Sequence, residues 1–280
     1  MENRPNIGED IKREVRQRCG FGCVVCGMPI YEYEHKLEWA IVKRHVAEEI
    51  TLLCPLHHTE KTKGLLPKVD VEIADKDPFN KRKGVTSRHL LHYKGNKIKL
   101  SLGESDFIYS KIDDGCFVAP LFIDNEPVFI FRVEQGQLLM SFIARNEENI
   151  PVFKILDNAV VINTLNWDVE WIGTTLTIRE GKGRIFLKID FLAPSEIAVR
   201  RARILHNGIE LIIGSNYIFG VNKGDFIGRI QAIDCSVGLC LGFPIPEKAT
   251  IGIPDIPRYN IDRIAAMKRL RFLLKKRKSI

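Results

Sequence analysis

Two close pairs of metal-ligating side chains mark the first quarter of the chain, Cys23-Val-Val-Cys26 and Cys54-Pro-Leu-His57, with Glu34-His35 between them and His58 directly after. Tetrahedral zinc takes four soft or borderline donors, and a structural site usually draws them as two pairs from segments too small to hold together alone. Cys23, Cys26, Cys54 and His57 are therefore the expected ligands of a structural zinc, with Cys19 as an alternative donor just ahead of the first pair. Such a staple leaves His35 and His58 unexplained. An imidazole titrates near neutral pH and can take a proton from water or bind a metal ion, so both are candidates for chemistry.

These residues need a scaffold, and the surrounding sequence supplies one. Residues 10–19 read as a helix, with Ile11, Val15 and Arg18 on one side and Glu9-Asp10 where the helix dipole favours acid. Beyond Gly27 and Pro29, the stretch 30–35 alternates as a strand, and 49–54 is a second, rich in β-branched and apolar residues. Pro55 then opens a helix that carries His57, His58, Lys61 and Lys63 and is stopped by Gly64 and Pro67. The order obtained is strand, strand, helix.

With that order, residues 21–63 resemble the HNH endonuclease family, whose fold is the zinc-stapled ββα-metal unit. The matching positions are Glu34-His35 at the end of the first strand, the second strand leading into Cys54, and His58-Thr-Glu-Lys61, which is similar to the family's His-x-x-Lys ending. The resemblance implies a metal-dependent DNA endonuclease. His35 would be the general base, since imidazole titrates near neutral pH. Glu34 and His58 would hold one catalytic Mg²⁺ or Mn²⁺, and the zinc would only fix helix against hairpin. Two positions depart from the family pattern: Glu34 stands where Asp is common, and Glu49 stands where the middle Asn belongs. An ionised carboxylate accepts hydrogen bonds and cannot donate them. Glu49 is therefore expected either to take over the buttressing of the loop that carries His35 or to mark a silenced site. The catalytic set on this reading is His35, His58, Glu34 and Glu49. The alternative is a catalytically silent, zinc-stabilised nucleic-acid-binding or interaction module. DNA is the expected partner of either, although RNA offers the same phosphate.

The rest of the chain frames that unit. At 280 residues, with 45% hydrophobic and 28% charged residues, the composition is globular and allows two domains. Charge is uneven: residues 1–100 hold 19 Lys/Arg against 14 Asp/Glu, residues 101–256 hold 14 against 20, and residues 257–280 hold 9 against 1. A polyanion would meet the two basic ends, while the acidic middle is suited to sensing, selecting or oligomerising. Residues 69–88 are charged and turn-rich and read as a linker or a DNA-facing loop, with Lys81-Arg82-Lys83 as phosphate contacts beside Lys61 and Lys63. From 97 to about 243, short apolar or alternating runs separated by Asp113-Asp-Gly, Glu134-Gln-Gly and His206-Asn-Gly turns predict a mainly antiparallel β domain, as a sandwich or a stacked β-coil. Residues 260–278 predict a helix in which Arg269, Arg271, Lys275 and Lys276 would grip phosphate; partner docking and a merely solvated end are the other readings.

The expected fold class is thus α+β: an HNH-like zinc domain over 1–80, a basic linker over 81–96, a β-rich domain over 97–256 and a basic C-terminal helix over 257–280. Seven cysteines, three of them clustered, argue for metal in a reducing compartment rather than a disulfide framework, and Cys116, Cys235 and Cys240 are expected to be buried in strands. His45 is expected to be an incidental loop residue, and His89 and His92 to serve the domain junction. Trp167 and Trp171 flank Asp168 and Glu170, an arrangement that reads first as core packing and second as a ligand platform. No apolar run reaches the roughly 20 residues of a membrane span, and Met-Glu-Asn-Arg-Pro is not the start of a signal peptide, so a cytoplasmic protein is expected. The modular layout resembles bacterial restriction and anti-phage defence nucleases. A double-strand break needs two strand cuts, so one active site per chain makes a homodimer an expectation.

Overall fold

A computed structural model describes residues 5–37 and 39–277. The chain divides into two compact units that interleave in sequence: Met1–His89, Val160–Gly173 and Ile178–Arg184 in the first, and Leu90–Ala159, Thr174–Thr177 and Ile185–Ile280 in the second. The class is α+β, with six helices among the described residues and mixed sheets. No helix of the described residues is long and apolar enough to cross a membrane.

The first unit begins with α1 (Glu9–Cys19), which ends at Gly20 in the left-handed conformation that a Cβ would disfavour. Strands β1 (Glu32–His35) and β2 (Ile50–Leu53) pair antiparallel, with Glu34 opposite Thr51 and His35 opposite Ile50. Between them lie the short helix α2 (Trp39–Val42) and a 3₁₀ turn, Ala47–Glu49. Helix α3 (Pro55–Thr62) follows β2 with Pro55 in its first turn, where the missing N–H is harmless. The strand–strand–helix order read from the sequence is present. Its core gathers Val15, Cys19, Val24, Ile50, Leu52, Leu53 and Val71.

Residues 69–88 are more structured than a linker. Helices α4 (Lys68–Lys76) and α5 (Phe79–Lys83) occupy most of that stretch. The sequence hid α4 because Val69, Val71 and Ile73 alternate as a strand would; only Val71 is buried, while Val69 and Ile73 are exposed.

The second unit holds two sheets. In one, Phe117–Ile123, Glu126–Glu134, Gln137–Arg145 and Pro151–Leu156 form an antiparallel meander, and Val237–Leu241 and Ala249–Ile253 add in parallel at its edge. The cross-strand pair Phe129 and Phe142 stacks at 4.1 Å. In the other, Glu196–His206, Ile209–Gly214 and Tyr217–Gly220 are antiparallel, while Ile98–Leu102 runs parallel to Glu196–His206. The expected antiparallel pattern therefore holds for the hairpins, and parallel pairings arise where distant segments close the sheets. Asn207 and Gly208 both have positive φ, as a two-residue I′ hairpin turn requires. Of the three cysteines expected to be buried in strands, Cys240 is, whereas Cys235 is half-buried outside a strand and Cys116 is exposed just before Phe117–Ile123.

Helix α6 (Arg263–Arg277) docks one face on the second sheet of this unit, where Ala266, Leu270, Met267, Leu273 and Leu274 meet Phe219, Val221 and Phe226. Arg263 reaches Glu210 at 2.8 Å and Arg269 reaches Asp225 at 3.1 Å. Burial pushes the Glu210 carboxyl up, but Arg263 and Arg203 outweigh it and hold it below the usual range.

Candidate metal centre and polar cluster

The thiols of Cys23, Cys26 and Cys54 and an imidazole nitrogen of His57 all lie within 4.8 Å of one another. The first pair sits in a tight knuckle: Gly27 N–H donates to the Cys23 carbonyl at 2.8 Å, and Cys23 N–H to the Met28 carbonyl at 2.9 Å. Gly27 has φ +78°, and a Cβ there would collide with Asn80 and Phe79 of α5, so glycine is required. The second pair comes from Cys54, immediately before α3, and from the first turn of that helix. Zn–S bonds near 2.3 Å and Zn–N bonds near 2.0 Å place tetrahedral sulfurs about 3.8 Å apart and sulfur–nitrogen pairs about 3.5 Å apart. Here Cys26 Sγ and Cys54 Sγ are 3.8 Å apart, and His57 Nδ1 is 3.4 Å from Cys23 Sγ and 3.2 Å from Cys54 Sγ. The cluster can hold a metal ion and has the spacing of a structural zinc site. The Cys23 thiol is drawn well below its ordinary value, chiefly by the hydrogen bond from Cys26. Cys19 stays outside this set. Burial pushes its thiol up to about 11, and its Sγ lies 3.8 Å from Asp75.

A second cluster forms where β1 faces α3. Side chains alternate along a strand, so Glu32 and Glu34 share one face. His58 and Lys61, three apart on α3, share the helix face that meets them. His58 Nε2 is 2.9 Å from Glu34 Oε2, and its Nδ1 is 3.4 Å from Glu32. The Lys61 ammonium rests on Glu34 and donates to the His35 carbonyl at 3.0 Å, which leaves its side chain only 7% exposed. No protein-family model, curated protein or solved structure matches the chain.

The His35 ring has other neighbours. It is 4% exposed, with Nε2 3.2 Å from His45 Nδ1 and the edge of Trp39 at 5.4 Å. Trp39 in turn stacks on His45 at 4.7 Å. His45, expected to be incidental, is thus a polar partner of His35, and a ten-residue separation offers no periodic cue to this. Glu49 pairs with Arg44 and closes the loop that carries His45; the Arg44 hydrogen bond holds its carboxyl below the usual range. Arg18 anchors the same loop by donating to the Ala47 carbonyl at 3.1 Å and to Asp75 at 2.6 Å. Asp75 also pairs with Lys36. Burial raises its carboxyl, but Arg18 and Lys36 prevail and lower it.

The remaining sequence-derived contacts lie elsewhere. Lys63, Lys81, Arg82 and Lys83 are exposed, with Arg82 over the Phe79 ring. On α6, Arg271, Lys275 and Lys276 are exposed, while Arg269 belongs to the docked edge through Asp225. The platform reading of Asp168 and Glu170 is replaced by a structural one. Arg16, its side chain 2% exposed, makes a bidentate pair with Asp168 at 2.8 and 2.9 Å and reaches Glu170 and the Tyr33 hydroxyl. Arg179 closes the set on both carboxylates at 2.9 Å. Trp167 lies under Arg13, and Trp171 meets His89 edge-on.

Proposed function

We propose that the chain is an HNH-type, metal-dependent endonuclease acting on DNA. The observation that carries this reading is the Glu34–His58 contact at 2.9 Å, formed across the β1–α3 junction next in sequence to His35 and beside a Cys₃His cluster. Glu34 and His58 would hold the catalytic divalent ion, which takes few protein ligands and keeps the rest of its shell for water and phosphate. When bound, Mg²⁺ or Mn²⁺ there would offset the negative charge that develops on the phosphate and the leaving oxygen. His35 would accept a proton from water; the water oxygen then bonds to phosphorus, the bond to the leaving oxygen breaks, and that oxygen takes a proton from solvent. Glu49, paired with Arg44, would brace the loop in the role given to Asn in the family.

The exposed basic face of α6 suits a phosphate backbone. Lys268, Arg271, Lys275 and Lys276 recur at helical spacing opposite the docked residues, and no acidic residue occurs within the helix. The second unit would select, sense or oligomerise, as restriction and defence nucleases of similar layout do.

Lys61 favours a second reading, a silent nucleic-acid-binding module, because its ammonium already satisfies Glu34. Plasmid cleavage by zinc-loaded protein with Mg²⁺, Mn²⁺ or EDTA separates the two. The expected result is divalent-dependent cutting that falls on the order of 10²–10⁴-fold in His35→Ala and is lost in His58→Ala. Retarded but intact DNA under every ion would instead establish the binding module. Nicked circles as the sole product would count against a dimeric cutter.

A further inference from the structure

We propose that His45 is a positioning residue for His35: it holds His35 as the Nε2–H tautomer, so that Nδ1 carries the basic lone pair. The function assigned to that lone pair rests on the nuclease reading; the tautomer itself does not. The Pro5 carbonyl can only accept a hydrogen bond and lies 2.8 Å from His45 Nε2. That nitrogen must therefore carry a proton. In a neutral imidazole the other nitrogen, Nδ1, is then bare and can only accept. His45 Nδ1 lies 3.2 Å from His35 Nε2, so His35 Nε2 must supply the hydrogen. A neutral His35 is thereby left with its lone pair on Nδ1.

Three contacts keep the relay in register. Trp39 stacks on the His45 ring and meets the edge of His35. Arg44 and Glu49 pair across the loop on which His45 stands. Arg18 holds the Ala47 carbonyl two residues further on. A loop histidine that merely filled space would need none of this alignment along one chain of donors and acceptors.

The arrangement also has a consequence for charge. When His35 takes a proton from water at Nδ1, one O–H bond breaks, one N–H bond forms, and the ring becomes an imidazolium. Its Nε2–H remains on His45 Nδ1, which meets the new positive charge with a lone pair. Orientation of a catalytic imidazole by a third group follows the same logic in Ser-His-Asp sites, where loss of the correct tautomer is costly although the base itself is intact.

The test uses the full chain, zinc-loaded, without DNA, at pH 8, above the ordinary histidine value of about 6.5. Long-range ¹H–¹⁵N correlation spectra of the imidazoles distinguish protonated from bare ring nitrogens directly. We expect His35 and His45 each to show a protonated Nε2 and a bare Nδ1. In His45→Leu that signature at His35 should be lost, and in His45→Gln it should return, because the amide offers an oxygen to His35 and an N–H toward Pro5. Cleavage should fall on the order of 10–100-fold in His45→Leu with KM unchanged and recover to within a few-fold in His45→Gln. A protonated Nδ1 at His35 in the parent protein, or an unchanged His35 spectrum in a folded His45→Leu, would overturn the proposal. The expected spectra in a protein that cuts nothing would uphold the tautomer clamp and sink the nuclease reading alone.

Discussion

Two of the polar clusters in the first unit differ in how completely they are closed. In the Arg16–Asp168–Glu170–Arg179 set, two guanidiniums meet two carboxylates in a bidentate lattice, charges cancel, and Tyr33 takes a further Arg16 N–H. Burial first lowers the Arg16 affinity for its proton, but the Asp168 hydrogen bond more than reverses this and raises it. The Glu34–His58–Lys61 set is built from similar types, yet His58 is one-third exposed and Glu32 about half exposed at its edge. Its links are single contacts rather than forks. A saturated, neutral network around a buried Arg16–Asp168 pair holds structure, because exchanging either partner leaves a buried charge unpaired. A carboxylate held by one imidazole and one flexible ammonium can exchange partners at modest cost. The two are told apart by satisfaction and exposure, since residue type alone does not distinguish them.

The largest expected effect acts beneath both clusters. Structural zinc contributes roughly 10–16 kcal/mol of apparent binding energy in small metal-folded units, so chelation should unfold the first unit. All three tryptophans, Trp39, Trp167 and Trp171, belong to that unit and make fluorescence its reporter. Identical melting with and without chelator would mean that the Cys₃His cluster is not a staple. Next, Arg16→Met leaves Asp168 and Glu170 short of a buried partner and should cost about 3–5 kcal/mol. On the nuclease reading, cleavage per folded molecule should be unchanged, whereas His58→Ala should reverse that pattern; equal effects of both on stability would mean that the two clusters do not differ in kind.

Acid should act through Asp75. Its carboxyl is lowered in the folded protein, so its contribution is present above the ordinary Asp value of about 3.9 and disappears as pH falls through the folded value. Asp75→Asn should remove about 1.5–3 kcal/mol at pH 7 and flatten the acid limb of a tryptophan-detected stability curve. An unchanged acid limb would show that Arg18 and Lys36 are held by other means. Smallest is Lys61→Met, which strips the ammonium from Glu34. Mn²⁺ binding followed by calorimetry should tighten roughly three- to tenfold, about 1 kcal/mol; weaker binding would show that Lys61 organises the carboxylate rather than competing for it.

The legible parts of this chain were those set by local rules. The Cys-x₂-Cys and Cys-x₂-His pairs, the β1–β2–α3 order and hairpin turns such as Asn207-Gly208 follow from spacing and backbone preference within a few residues. Helix α4 was obscured by accidental alternation of Val69, Val71 and Ile73. What remained hidden depends on long-range closure. Nothing near Arg16 announces a partner some 150 residues away, and Asp168 between two tryptophans looks as much like a ligand platform as like an ion pair. His45 is similar: its significance lies in an acceptor at Pro5 and a donor at His35, neither at a helical or strand interval.

The return of residues 160–173 and 178–184 to the first unit sets the order in which it can be completed during synthesis. A nascent chain that has emerged as far as α5 carries every cysteine and histidine of the metal centre, but it holds Arg16 in a site that still lacks Asp168, Glu170 and Arg179. The first unit is therefore not a cassette that could be severed after its last helix and joined to another β-rich domain. Recombination that exchanges the β-rich part while keeping the first hundred residues would have to carry the Asp168–Arg179 hairpin along with it.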